Sequence, residues 1–213
     1  MEADEVWQTI DQQRSELADL MDELTDHEWQ TPSLCTGWRV REVGAHLTLA
    51  QMTLLAAIGP TLRARGSFDR MIHQTAVRRA ELPVGDYPVL LRAMVGSRRK
   101  APFVSDVEPL IDQLVHGQDM AVPLGRTREM PIAAATVATQ RAWSMGFPFR
   151  AGKRLHGFTL TATDARWTVG EGPVVEAPIR VLLMLVTGRD VVLPELGGPG
   201  AGRIRSRLAD AVR

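Results

Sequence analysis

The sequence predicts an α+β protein, with an N-terminal bundle of four or five helices over residues 1–148 and a small C-terminal α/β domain over 149–213. Three observations lead there. Apolar residues recur at a helical period through most of the first two-thirds of the chain, interrupted by Pro- and Gly-containing loops. Past Gly146-Phe-Pro-Phe149 the pattern changes to short, alternating, β-branched stretches. With 213 residues, the chain is long enough for one substantial domain and a small second one.

Taken in order, Val6, Ile10, Leu17, Leu20, Met21 and Leu24 define an amphipathic first helix within residues 3–25. Thr31-Pro-Ser-Leu-Cys-Thr-Gly37 is a loop, and Trp38 introduces a second helix running toward Gly59-Pro60. Val40, Val43, Ala45, Leu47, Leu49, Ala50 and Leu54 leave this helix few polar sides, so it is expected to be central, with His46 well inside it. Residues 67–82 form a charged helix that ends where Pro83 to Pro88 interrupt it. A further helix over 87–98 ends in Ser97-Arg-Arg-Lys100, cations that suit a helix C-terminus or an anionic ligand. Ser105, Asp106, Glu108 and Pro109 open a helix over 105–121, which Pro123 and Gly125 stop. Pro131–Ser144, rich in small residues, reads as a close-packing helix. Such a series joined by modest loops describes a bundle.

In the C-terminal domain, Arg154–Thr163 reads as a strand, with Trp167–Val169 its hairpin partner across the turn at Asp164-Ala-Arg166. Val174–Glu176 is a third short strand. Ala177–Thr187 is an apolar helix stopped by Gly188, Val191–Leu193 an edge strand, and Ala201–Val212 a basic terminal helix.

Equal numbers of basic and acidic residues, 25 of each, argue against a dedicated nucleic-acid binder. A single cysteine, Cys35, excludes an internal disulfide framework and a cysteine zinc cluster, and suits the cytosol. The start, Met1-Glu-Ala-Asp-Glu5, lacks the basic-then-apolar order of a signal peptide. The runs Leu47–Gly59 and Val181–Val186 are too short or too interrupted to span a bilayer. A cytoplasmic protein without membrane or nucleic-acid partners is expected; its oligomeric state is open.

The chemistry centres on Asp112-Gln-Leu-Val-His116-Gly-Gln-Asp119. On a helix, positions three and four apart share a face, so Asp112, His116 and Asp119 are neighbours. A carboxylate and an imidazole one turn apart are two ready ligands for a divalent metal. With His46 from the second helix, the set becomes two imidazoles and one carboxylate with positions left open, which suits Zn²⁺ or a similar borderline metal. A solvated Asp–His contact and a hydrogen-bonded core His46 are the competing readings. Asp119 competes with Asp112 as the carboxylate ligand, and Gln118 and Asp119 are either groups orienting a ligand imidazole or surface residues. Cys35 reads as a packed loop thiol, and His27, His73 and His156 as structural.

Cys35-Thr-Gly-Trp38-Arg-Val-Arg-Glu-Val-Gly-Ala-His46-Leu47 resembles the first metal-ligand motif of the DinB-like, mycothiol-dependent maleylpyruvate isomerase family. Asp112-x-x-x-His116-Gly-Gln-Asp119 with Pro123-Leu-Gly125 resembles its second. Asp164-Ala-Arg-Trp-Thr-Val-Gly170, Gly172-Pro173 and Thr187-Gly-Arg189 are similar to its C-terminal domain. The resemblance spans nearly the whole chain. It implies a DinB-like four-helix bundle with a divalent metal, usually zinc, held by His46, Asp112 and His116. It also implies mycothiol as thiol cofactor, a small electrophilic substrate, and a catalytic arginine for which Arg189 is the nearest match. Two positions depart from the pattern. Asp112 stands where the isomerases usually carry Glu, and Arg39 follows Trp38 where a Ser or Thr helix cap is expected. The expected function is a metal- and thiol-dependent isomerase or S-transferase. The alternatives are a non-catalytic metal-binding module and a metal-dependent hydrolase.

Overall fold

A computed structural model describes residues 1–51, 67–100 and 104–210. The chain divides into two compact units, Glu2–Arg128 and Glu129–Arg213. The expected second helix ends at Leu47, where Thr48 caps it and residues 48–51 form turns. Its expected continuation beyond residue 51, Leu54 included, lies outside the described residues, as do the last two positions of the expected terminal helix. No helix among the described residues is long and apolar enough to cross a membrane.

In the first unit, α1 (Ala3–Asp22), α2 (Asp26–Trp29), α3 (Val40–Leu47), α4 (Phe68–Arg79), α5 (Asp86–Arg92) and α6 (Val107–Ala121) follow one another. Helix α1 packs on α5 and α6, and α3 packs on α4 and α6, which gives the bundle. Leu17, Met21, Trp29, Val40, Val43, Leu47, Tyr87 and Leu91 form its core, with Trp29 edge-on to Tyr87 at 5.6 Å between ring centroids. Gly44 on α3 is needed for this packing, because a Cβ there would lie 3.0 Å from the Trp29 ring. The fully buried Arg14 of α1 donates to the Met94 and Ser97 carbonyls at 2.7 and 3.0 Å, tying α1 to the end of α5. Arg98 and Lys100 pair with Asp4 and Asp106, so two of the three cations after α5 are engaged in ion pairs.

Helix α2 is absent from the periodicity, being a single turn nucleated by local chemistry. Thr25 Oγ1 accepts from the Glu28 amide while the Glu28 carboxylate accepts from the Thr25 amide. Arg39 is the N-cap of α3 despite lacking a short hydroxyl. Its extended backbone (φ −87°, ψ 172°) lets the Glu42 carboxylate accept from its amide at 2.8 Å, and its guanidinium closes on the same carboxylate. Half of a capping box thus starts the helix from the N3 side.

The second unit holds α7 (Ile132–Ser144), α8 (Ala151–Arg154), β1 (Thr159–Ala162), β2 (Thr168–Gly170), β3 (Val174–Ala177), α9 (Ile179–Val186) and α10 (Ala201–Asp210), with a 3₁₀ turn at Asp190–Glu195. The sheet order is β2-β1-β3, β1 antiparallel to β2 and parallel to β3. Helix α7 falls in this unit because its buried face, Ala134, Ala135, Ala138 and Ala142, lets the apolar α9 approach closely. Two local expectations change here. Residues 154–158 are helix end and turn rather than strand, and Val191–Leu193 is a 3₁₀ turn rather than an edge strand. Pro194 lacks the N–H that a ladder requires, and Gly197 bridges Glu176 on β3 instead.

Gly170 ends β2 opposite Thr159 at φ +79°, and a Cβ there would lie 2.3 Å from the Phe158 carbonyl oxygen. Gly170→Ala is therefore expected to lower stability by about 2 kcal/mol or more, read from the urea midpoint. Gly202→Ala, on α10 with open space around it, should stay within about 1 kcal/mol of wild type in the same measurement.

Candidate metal centre

Helix α6 carries Asp112, His116 and Asp119, and α3 carries His46 opposite them. The third wall is the loop between α2 and α3. Ser33 folds it by donating N–H and Oγ–H to the Trp38 carbonyl at 2.9 Å, and Gly37 supplies a left-handed residue at φ +79°. The Leu34 amide donates to the Asp119 carbonyl at 3.2 Å, which fastens the loop to α6 and places Cys35 and Trp38 at the site.

The two ring nitrogens of His116 face different partners. Nε2 lies 3.8 Å from Asp112 Oδ1, and Asp112 Oδ2 lies 4.0 Å from His46 Nε2. The two imidazoles stand nearly perpendicular, 78° apart with centroids at 4.9 Å. One ligand atom from each of His46, Asp112 and His116 falls within 4.8 Å of the others. On the other side, Nδ1 is 2.8 Å from Asp119 Oδ2, to which the Cys35 thiol donates at 3.1 Å. Cys35 Sγ is also 3.6 Å from His116 Nδ1, so Cys35, His116 and Asp119 form a second compact cluster. Burial separates the carboxylates. Asp119 is 0% exposed and Asp112 39%, so the first sits behind the imidazole and the second borders open solvent.

This arrangement resolves which carboxylate faces which nitrogen. With Asp119 accepting from Nδ1–H, Nε2 is the nitrogen that faces Asp112 and His46, and it would offer its lone pair to a cation that displaces its proton. Two imidazole nitrogens and a half-exposed carboxylate, backed by a buried orienting carboxylate, are a donor set that fits a divalent cation. Gln118 is turned away, donating to the Arg128 carbonyl at 2.6 Å. Arg189 belongs to the second unit, where it precedes the 3₁₀ turn and donates to the Thr187 carbonyl at 2.7 Å. His27 and His156 join neither cluster.

Two neighbours were not foreseeable from spacing. Cys35 is 81 positions before His116 and at no ligand spacing from it, yet the loop delivers it to Asp119. Trp38 packs its indole against His46 and His116, with centroids at 5.3 and 6.4 Å, and donates Nε1–H to His73 Nδ1 at 2.7 Å.

Burial alone would push the His116 imidazole down. Its hydrogen bonds to Asp119 and Cys35, with the negative charge of Asp119, outweigh that and carry it up to about 10. A group raised in the folded state stabilises the metal-free protein fully below the ordinary histidine value near 6.5, and that stabilisation is lost as pH climbs through about 10. In metal-free protein, an NMR titration of the His116 ring should show a midpoint near 10. In Asp119→Asn the midpoint should fall by about 1–3 units.

Comparison with known proteins agrees with this architecture. Residues 10–101 match the family model described as the mycothiol maleylpyruvate isomerase N-terminal domain, a span that takes in His46 but stops short of Asp112 and His116. No curated relative matches the sequence. Among solved structures, the chain is similar to the mycothiol-dependent maleylpyruvate isomerase crystal structure, with a TM-score of 0.58 and 14% identity over 89% of this chain and 90% of that one. Residues 10–101 are thus a domain of the mycothiol maleylpyruvate isomerase N-terminal family, in a chain that shares the α+β fold of the solved isomerase.

Proposed function

We propose that the protein is a metal-dependent enzyme that uses a low-molecular-weight thiol, mycothiol, to isomerise a small electrophile or to transfer sulfur to it. The observation that carries this reading is the convergence of His46, Asp112 and His116, with His116 oriented from behind by Asp119. His46 Nε2, His116 Nε2 and an Asp112 oxygen would hold the cation, zinc by donor type. When bound there, a divalent cation lowers the pKa of a coordinated thiol, so that the thiolate persists near neutral pH.

The chain's own residues do the rest. Asp119 keeps the proton of His116 on Nδ1, and Trp38 walls one side of the two imidazoles against water. Asp112, one methylene shorter than Glu, reaches both imidazoles because α6 and α3 pack directly on one another. Arg189 is assigned, by its Gly-Arg context, to a substrate carboxylate, for which a guanidinium offers two parallel N–H donors. The family match and the shared fold support the thiol-dependent class over the hydrolase. The site itself does too: a hydrolase needs a base for water, and Asp119 is buried with its carboxylate engaged by His116 and Cys35.

Metal analysis of protein purified without chelator should find near one equivalent in wild type. His116→Ala and Asp112→Ala should lose it, and Asp119→Asn should bind about 10–100-fold more weakly. Wild type that stays folded and empty after zinc addition would exclude the metalloenzyme reading. Loaded protein inert toward electrophiles with every added thiol would leave a metal-binding module.

A further inference from the structure

Beside α4 lies a cleft of about 360 Å³ lined by His73, Gln74, Val77 and Arg78. These residues follow one helical face, and His73, Val77 and Arg78 are exposed. His73 is exposed but not loose. Its Nδ1 accepts from Trp38 Nε1–H at 2.7 Å, and Gly37 backs the ring, with the position of a Cβ only 3.9 Å from His73 Cε1. An indole N–H only donates, so Nδ1 must present its lone pair and the ring proton resides on Nε2. One nitrogen is thereby committed to the protein, and the other is left as an N–H donor.

The second donor comes from the last turn of α4. Arg79 is engaged, its Nε donating to Thr48 Oγ1 at 2.9 Å, whereas Arg78 lines the cleft. Among the described lining residues there is a guanidinium, a fixed imidazole N–H and an apolar valine, and no carboxylate. That combination matches an organic carboxylate: a cationic and a neutral N–H donor for the oxygens and an apolar surface for the carbon chain. Trp38, which sets the His73 tautomer, is also the residue packed on His46 and His116, so one side chain behind the cleft links His73 to the candidate metal centre.

We propose that this cleft binds the carboxylate of a small organic anion, with Arg78 and His73 Nε2–H as donors and Trp38 as the residue that positions His73. As the subsite for a carboxylate-bearing electrophile it rests on the function proposed above; as an anion site it does not need the metal.

Maleate titrated into metal-free, ¹⁵N-labelled protein is the test. Saturable shifts are expected at α4. Arg78→Ala and His73→Ala should each weaken binding at least tenfold, while His116→Ala stays within twofold of wild type. Long-range ¹H–¹⁵N spectra should show His73 protonated at Nε2 in wild type. In Trp38→Phe the tautomers should mix and binding should weaken several-fold. No saturable binding at millimolar maleate overturns the proposal, as do wild-type affinity in both α4 variants or loss of binding in His116→Ala alone. Because no metal or thiol is present, maleate binding at α4 in a protein that never takes up zinc would uphold the anion site while the proposed enzyme function fails.

Discussion

The hydrogen bond between the buried Asp119 carboxylate and His116 Nδ1 is the contact on which the candidate site depends. A carboxylate removed from water is costly unless it is paired and hydrogen-bonded. Here two side chains meet that requirement, the imidazole at 2.8 Å and the Cys35 thiol at 3.1 Å, both on Oδ2. The same residue anchors the α2–α3 loop through its backbone carbonyl. One position on α6 thus orients the His116 imidazole, engages the sole cysteine and holds the loop that carries Trp38.

Trp38 extends that organisation outward. Its ring fills the space beside His46 and His116, and its single polar atom is used on His73. A buried indole must find an acceptor for its N–H, and in finding one at the surface it freezes an otherwise mobile imidazole. Packing and hydrogen bonding from one side chain therefore connect a buried cluster to an exposed cleft.

The second unit reaches compactness by other means. Its three-stranded sheet is short, so stability rests on the alanine face of α7 against α9 and on glycines that allow close backbone approach, Gly170 above all. The fold likeness to the solved isomerase extends across this unit as well as the first.

Helical periodicity alone identified the bundle helices, because each buries one stripe of apolar side chains and that stripe is written into residue spacing. The Asp112–His116 pair was legible for the same reason, as was the strand-and-turn character after Phe149. The choice between Asp112 and Asp119 was not. Both lie on the His116 side of α6, and only the orientation of the ring, with one nitrogen toward the buried carboxylate and the other toward Asp112 and His46, tells their positions apart. Nor could spacing bring Cys35 to Asp119 or His73 to Trp38, pairs separated by 84 and 35 positions. Local sequence sets which side chains share a helix face; which faces meet, and which nitrogen points where, is decided by packing between segments far apart in the chain.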